Sequence, residues 1–156
     1  MPDARLDMID RKILAVLQQD AHTTMDALAA EVGLSPSPCA RRVRNLEAAG
    51  VIKRYVAVVD QDKVGLPVSV FASIRLERQR EDELDRFAKA ISRWPEIVEC
   101  YLMTGQRDYL LRIVVKDLPA YEAFLKRTLT RLDGVASIES SFALSQVKHA
   151  QALPIE

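Results

Sequence analysis

The chain has 156 residues, and its 22 basic and 22 acidic side chains give a formal net charge of zero at neutral pH. This balance excludes a protein that coats nucleic acid through an overall excess of cations, so any such contact must come from a local patch. Apolar residues make up 49% of the chain, enough for a core, but no run is long enough for a membrane span and no signal peptide is evident. We therefore expect a soluble, cytoplasmic protein without a membrane partner.

The first third of the chain predicts three short helices. Apolar residues recur at helical spacing over Asp7–Gln19 and Thr24–Val32. After a tight turn, a third helix has two candidate starts, Ser37-Pro38 and Ser35-Pro36, because each offers a hydroxyl cap followed by a proline. Gly50 supplies the left-handed residue that ends this helix. Three helices with a tight turn before the last predict a helix-turn-helix.

The third helix has an apolar face and a cationic face when its residues are placed about 100° apart. Its guanidinium and amide groups suit phosphates and the edges of guanine and adenine, so we expect contact with double-stranded DNA. The alternative is a solvated surface helix without a partner. The predicted DNA-binding residues on this helix and just beyond it are Ser35, Ser37, Arg41, Arg42, Arg44, Asn45, Lys53 and Arg54.

The segment after this helix, Val51–Val59, is rich in β-branched residues and predicts a strand, which makes the module winged. From Ser35 to Arg54 the local net charge is +4, since Glu47 alone opposes five cations. One such patch binds phosphates weakly and with strong salt dependence. Tight binding therefore needs several DNA-binding heads on one assembly.

The second half predicts the element order βαββαβ, a ferredoxin-like sheet with both helices on one face. The predicted elements are Val68–Leu76 (strand), Asp82–Trp94 (helix), Ile97–Thr104 (strand), Tyr109–Val115 (strand), Leu118–Leu132 (helix) and Ala136–Lys148 (strand). The other sheet face should carry Phe71, Tyr101 and Met103, for which a second copy of the chain is the natural cover. Scattered surface apolar residues, which are normal in monomers, are the alternative.

From about Leu6 to Lys148 the chain resembles the Lrp/AsnC, or feast/famine, transcriptional regulators. The residues that carry the resemblance are Leu6–Leu14, Leu34–Glu47 with Gly50–Ile52, and Thr104–Leu111. The resemblance implies an α+β protein: a winged helix-turn-helix at 1–59, a linker at 60–66, and a ferredoxin-like effector-binding and oligomerisation domain at 67–156. It also implies a homodimer that assembles to an octamer. The ending, Ser140–Lys148 and Leu153–Glu156, is similar to a cysteine-responsive subgroup.

The hairpin around Gly105 is the candidate sensor. Its N–H groups can hold a carboxylate, and Asp108 can hold an ammonium group. Spacing alone favours an ordinary hairpin, which also uses Gly and Asp. The resemblance reverses this preference, because family members place effectors at this hairpin between subunits. The expected effector-binding residues are Met103, Thr104, Gly105, Gln106, Arg107 and Asp108, with Ser140 and Ser141 from the last strand.

Gln106 and Arg107 depart from the small or acidic residues of the family, so the effector's identity stays open. A small or sulfur-containing amino acid is the first expectation, and leucine-like ones come next.

Other functional classes have little support in the sequence. Cys39 and Cys100 lie far apart without His or Cys neighbours at ligand spacing, so we expect no metal and no cofactor. We expect Cys39 to be a small buried hydrophobe. No nucleophile–base pair or phosphate-binding loop is evident, so we expect no enzyme, although ferredoxin-like sheets host many activities. A nucleoid-associated architectural protein that binds DNA without an effector is the alternative function.

Overall fold

The computed structural model describes residues 6–148 and 152–155, which form two compact units. The first unit contains the chain up to Val58 together with the C-terminal segment from Val147, and the second spans Val59–Gln146. None of the helices in the described part is long and apolar enough to cross a membrane.

The first unit contains three helices: α1 (Met8–Gln19), α2 (Met25–Val32) and α3 (Pro36–Ala48). Gly33 ends α2 with φ at 74°, and the Leu34 N–H donates back to the Ala29 carbonyl at 2.8 Å. This pair of features closes the tight turn that precedes α3. The helix-turn-helix prediction is confirmed.

The start of α3 decides between the two candidate caps. Pro36 is its first residue and Ser35 its N-cap, so the Ser35-Pro36 start is right and the Ser37-Pro38 start is wrong. Gly50, with φ at 71°, follows the end of the helix as predicted. The three helices pack around one apolar core. Its buried residues are Ile13, Leu14, Leu28, Ala29, Val32, Cys39, Val43 and Leu46.

The strand predicted over Val51–Val59 is wrong, since this described segment forms no regular secondary structure. A strand is stabilised by pairing with a neighbour, and no other strand lies among the described residues of the first unit. Val56, Val58 and Val59 are exposed. Their β-branched side chains favour a strand, but the described part of this unit contains no neighbouring strand with which the segment could pair.

The second unit contains the predicted βαββαβ order. Its elements are β1 (Val68–Leu76), α4 (Glu81–Ile91), β2 (Ile97–Leu102), β3 (Tyr109–Val115), α5 (Leu118–Arg127) and β4 (Val135–Phe142). The strands lie in the order β2-β3-β1-β4, and all neighbours are antiparallel. The ferredoxin-like fold is confirmed.

Both helices pack on one face of this sheet. Phe87 of α4 and Phe124 of α5 belong to the same buried cluster as Val70, Ala72 and Ile74 of β1. Residues of β1 alternate in burial, so the intervening side chains lie on the opposite surface, here called the outer face. The outer face contains Phe71 of β1, Tyr101 of β2, Leu110 and Arg112 of β3, and Ser141 of β4, by the register of the strands.

Four elements are shorter than predicted: α4 ends at Ile91 and β2 at Leu102, and α5 and β4 also end early. Pairing of β4 with β1 reaches only Phe142 opposite Val70, and β1 begins two residues before Val70. The chain beyond Ala143 therefore has no strand beside it. Helix α5 ends at Arg127 because the hydroxyls of Thr128 and Thr130 donate to carbonyls of the preceding turn, and a short 3-10 turn follows.

The C-terminal segment differs from the predicted domain boundary at 67–156. Its described part packs in the first unit, where the Gln18 side chain donates to the Leu153 carbonyl at 3.2 Å and accepts from the Leu153 N–H at 2.6 Å. Ile155 packs against the helical core. Two hydrogen bonds and one apolar contact to distant residues place this segment, and no local pattern predicts them.

Candidate nucleic-acid interface and effector hairpin

Helix α3 presents a polar face to solvent opposite its buried residues. Ser37, Arg41, Arg44 and Asn45 are all exposed. Among the described residues, none of the four side chains has an ion-pair or hydrogen-bond partner. Ser35, Lys53 and Arg54 are exposed as well. Two guanidinium groups and an amide on one helix face can donate to phosphates or to purine edges.

Arg42 differs from the other predicted DNA-binding residues. Its Nη1 donates to Asp7 Oδ2 at 2.7 Å and to Asp10 Oδ1 at 2.8 Å, and its side chain is 31% exposed. Asp7 and Asp10 form the capping box at the start of α1. Arg42 therefore ties α3 to α1 inside the unit, and its placement does not fit the expected contact with DNA.

The ion pair and the helix cap shift the ionisation of the groups involved. The backbone N–H of Asp10, and then the Arg42 guanidinium, lower the pKa of Asp7 below its ordinary value of 3.8. The two carboxylates raise the pKa of Arg42. Near the far end of α3, the Tyr55 hydroxyl donates to Glu47 Oε1 at 2.8 Å, and burial followed by this bond raises the pKa of Tyr55 to about 12.

The β2–β3 hairpin contains the candidate effector site. The Met103 N–H donates to the Asp108 carbonyl at 2.8 Å, which closes the loop, and Gly105 adopts φ of 104°. Residues 103–106 are exposed. Only glycine adopts this backbone conformation without strain, so Gly105 determines where the loop N–H groups point.

Asp108 is not an open ligand for an ammonium group. It is 4% exposed, and its carboxylate accepts from the Leu76 N–H at 2.6 Å and from Gln79 Nε2 at 2.7 Å. Its own N–H donates to the Ile74 carbonyl at 2.8 Å. Asp108 thus anchors the hairpin to the end of β1, and this placement differs from the expected role as an ammonium partner.

The two serines predicted from the last strand lie on opposite faces of β4. The Ser140 hydroxyl lies 2.5 Å from the Tyr121 hydroxyl on the helix side, whereas Ser141 pairs in register with Phe71 on the outer face. They therefore cannot both contact one ligand. The strand residues that do reach the hairpin are Ser137 and Glu139, through the guanidinium of Arg107. Alternation along β4 groups these two with Ser141 and would have found them.

The cysteines are both free, Cys39 buried in the helical core and Cys100 exposed on β2. Burial raises the pKa of both thiols. In the described ranges, no group of three or more His, Cys, Asp or Glu side chains is placed to hold a metal ion.

Comparison with known families identifies both units. Residues 6–53 match the model of winged helix-turn-helix DNA-binding domains, and residues 69–153 match the model of the Lrp/AsnC ligand-binding domain. The chain belongs to the Lrp/AsnC family. The members of this family are transcriptional regulators that bind DNA, not enzymes, and this chain is such a regulator.

Known proteins align with this chain over nearly its whole length. The Bkd operon transcriptional regulator of Pseudomonas aeruginosa is 47% identical over 97% of this chain and 99% of its own length. The leucine-responsive regulatory protein of Klebsiella pneumoniae is 39% identical over 99% of this chain and 94% of its own length. A transcriptional regulator of Neisseria meningitidis, solved as a complex with L-Met, is 39% identical, with a TM-score of 0.90 over 96% of each chain.

We predict that the Asp7–Arg42 contact makes the stability of the first unit depend on pH, with a loss of stability in acid. Because the folded state lowers the pKa of Asp7, its contribution is present above pH 3.8 and disappears as the pH falls through the lower folded value. Asp7→Asn retains a good helix cap but removes the charge, so it should be less stable than wild type at neutral pH and should lose that disadvantage as the pH falls through the lowered folded pKa of Asp7.

Urea denaturation across this pH range measures the difference in the free energy of unfolding. Glu31→Gln serves as the control, since Glu31 is an exposed carboxylate without a hydrogen bond or ion pair among the described residues. Equal pH profiles for Asp7→Asn and Glu31→Gln would contradict the prediction.

Proposed function

We propose that α3 enters the major groove of DNA and reads it with the exposed face that contains Ser37, Arg41, Arg44 and Asn45. The observation that carries this proposal is that Arg41 and Arg44, opposite the buried face, are exposed and have no side-chain partner within the described part of the chain. Ser35, Lys53 and Arg54 contact the phosphate backbone beside the groove. Arg42 holds the helix in place from the inner side. The protein acts where the DNA is, in the cytoplasm.

We propose further that the chain works as a homodimer that joins into octamers. Tyr101 is 52% exposed and Met103 43% exposed at the β2 end of the outer face, where Phe71 is half-buried. Arg112 Nε donates to Glu99 Oε1 at 3.0 Å beside them, so the face combines apolar and internally paired polar groups. Such a surface suits a second copy, and several heads on one assembly strengthen the weak contact of each.

We propose that a small amino acid binds at the hairpin Met103–Asp108 and that its side chain contains sulfur. The support for sulfur is the L-Met complex of the Neisseria relative. The ligand carboxylate lies against the N–H groups around Gly105, in a loop whose shape Asp108 maintains. Glu139, tied to the loop through Arg107, offers an exposed carboxylate to the ammonium group.

Binding acts on DNA affinity through the assembly. An effector changes an equilibrium only when it prefers one state, so it must bind one arrangement of subunits more tightly than another. Effector binding and assembly then depend on each other by the same factor.

The DNA proposal predicts that Arg41→Ala weakens specific binding by about 1–3 kcal/mol if the guanidinium contacts a guanine. Arg44→Ala should act similarly. The measurement is affinity at fixed salt for the DNA upstream of the protein's own gene. Arg93→Ala is the matched control, because Arg93 is an exposed arginine on the second unit without a side-chain partner among the described residues. Wild-type affinity of the Arg41→Ala/Arg44→Ala double variant would reject the assignment.

The assembly proposal predicts a dimer or a larger species for the full chain at micromolar concentration. Sedimentation velocity measures this directly. Replacing Tyr101 by Lys should shift the distribution toward monomer, because it places a charge within the covered face. A folded wild-type monomer at this concentration would contradict the proposal.

The effector proposal predicts that Gly105→Ala weakens amino-acid binding by about tenfold or more, because an L residue resists φ of 104° and reshapes the loop. Calorimetry with each of the twenty amino acids identifies the ligand. Gly65→Ala is the control: its φ is 78°, and a Cβ atom at either glycine meets nothing within 4 Å. Equal amino-acid affinity of the two variants would show that the effector does not bind at this hairpin.

A further inference from the structure

A cavity lies in the second unit, between α4 and the two turns beside it. Its volume is about 440 Å³, within the range of small-molecule sites. The walls are the end of β1 and the loop after it (Leu76–Arg78), the inner side of α4, and the turn before β4 (Leu132–Gly134). None of these residues belongs to the hairpin of the proposed effector site.

The cavity offers a carboxylate whose hydrogen-bonding capacity is incompletely used. Glu83 lines it with a side chain that is 18% exposed. One oxygen, Oε2, is buried without a hydrogen-bond partner among the described residues, and the other lies 4.0 Å from Arg86. Because Oε2 is itself closed to solvent, a ligand ammonium group reaches Glu83 only at the exposed part of its side chain, where it adds a donor to an incompletely bonded carboxylate.

The opposite charge is available on another wall of the cavity, the loop after β1. Arg78 is exposed and, within the described residues, has no ion pair. Arg86 also lines the cavity, but its guanidinium is engaged by Asp82 at 3.6 Å and by the Asp82 carbonyl at 3.2 Å. Arg78 is therefore the cation available for a ligand carboxylate. The cavity is also lined by four apolar residues, Leu76, Phe87, Ala90 and Leu132.

We propose that this cavity is a second amino-acid site, in which Glu83 holds the ammonium group, Arg78 the carboxylate, and the apolar wall an aliphatic or thioether side chain. The site goes beyond the proposed hairpin site and does not need it. The two are nevertheless joined by the chain, since the wall residue Leu76 donates its N–H to Asp108, the anchor of the hairpin. A ligand in the cavity thus contacts the segment that holds the hairpin in place.

Equilibrium dialysis of the full chain with labelled L-methionine tests the proposal. Wild type should bind two molecules per chain, and Glu83→Gln, which keeps the size of the side chain, should lose about tenfold in affinity at one site. Glu81→Gln is the control, because Glu81 is exposed in the first turn of the same helix and does not line the cavity. Circular dichroism verifies that each variant is folded.

The hairpin variant separates the two sites. Gly105→Ala should retain the cavity site at wild-type affinity, and Gly105→Ala/Glu83→Gln should bind L-methionine at least about tenfold more weakly at both sites. If Glu83→Gln and Arg78→Gln both bind like Glu81→Gln, or if wild type binds no L-methionine, the cavity proposal is overturned. If Glu83→Gln loses one site while Gly105→Ala loses none, the cavity proposal holds and the hairpin proposal fails.

Discussion

The ion pair between Arg42 and the two carboxylates at the start of α1 determines how the first unit presents its charge. Arg42 is adjacent in sequence to Arg41, yet the two side chains serve different purposes. Arg42 Nη1 lies within 2.8 Å of both acids, whereas Arg41 is exposed and unpaired among the described residues. With Cys39, Val43 and Leu46 buried on the same helix, the contact directs the free guanidinium groups toward solvent.

The second unit uses a buried acid in a comparable way. The Asp108 carboxylate accepts hydrogen bonds from the Leu76 N–H and from Gln79 Nε2, and so holds the hairpin against the end of β1. A carboxylate that accepts two short hydrogen bonds inside the protein stabilises the surrounding backbone. The loop at Gly105 stays exposed beside this anchor. In both units an internal charged contact makes a neighbouring surface available.

Periodicity predicted which faces are buried, because a helix or strand in a small unit must bury its apolar side. The alternation along Val68–Leu76 and the apolar side of α3 were both confirmed. The roles of Arg42 and Asp108 were not predictable in this way. Arg42 lies 35 residues along the chain from Asp7 and 32 from Asp10. Asp108 lies 32 residues from its partner Leu76, and no local spacing in the sequence indicates such pairs.

The ends of elements and the unpaired segments escaped prediction for a related reason. The residues after Phe142 resemble a strand but have no neighbour beyond the start of β1. Val51–Val59 has strand composition without a partner in its unit. The C-terminal segment belongs to the first unit through Gln18, which lies 135 residues from its partner. In each case the structure of the segment depends on whether a partner elsewhere in the chain contacts it, and not on its own composition.

The most direct test of the account asks whether Arg42 acts through α1 or on DNA. Operator affinity and the free energy of unfolding are measured for Arg42→Met in wild type and in the Asp7→Asn/Asp10→Asn background. If Arg42 positions α3, its loss lowers both quantities in wild type and changes neither further once the two acids are gone. An equal loss of operator affinity in both backgrounds would show that the guanidinium binds DNA itself, and would contradict the account.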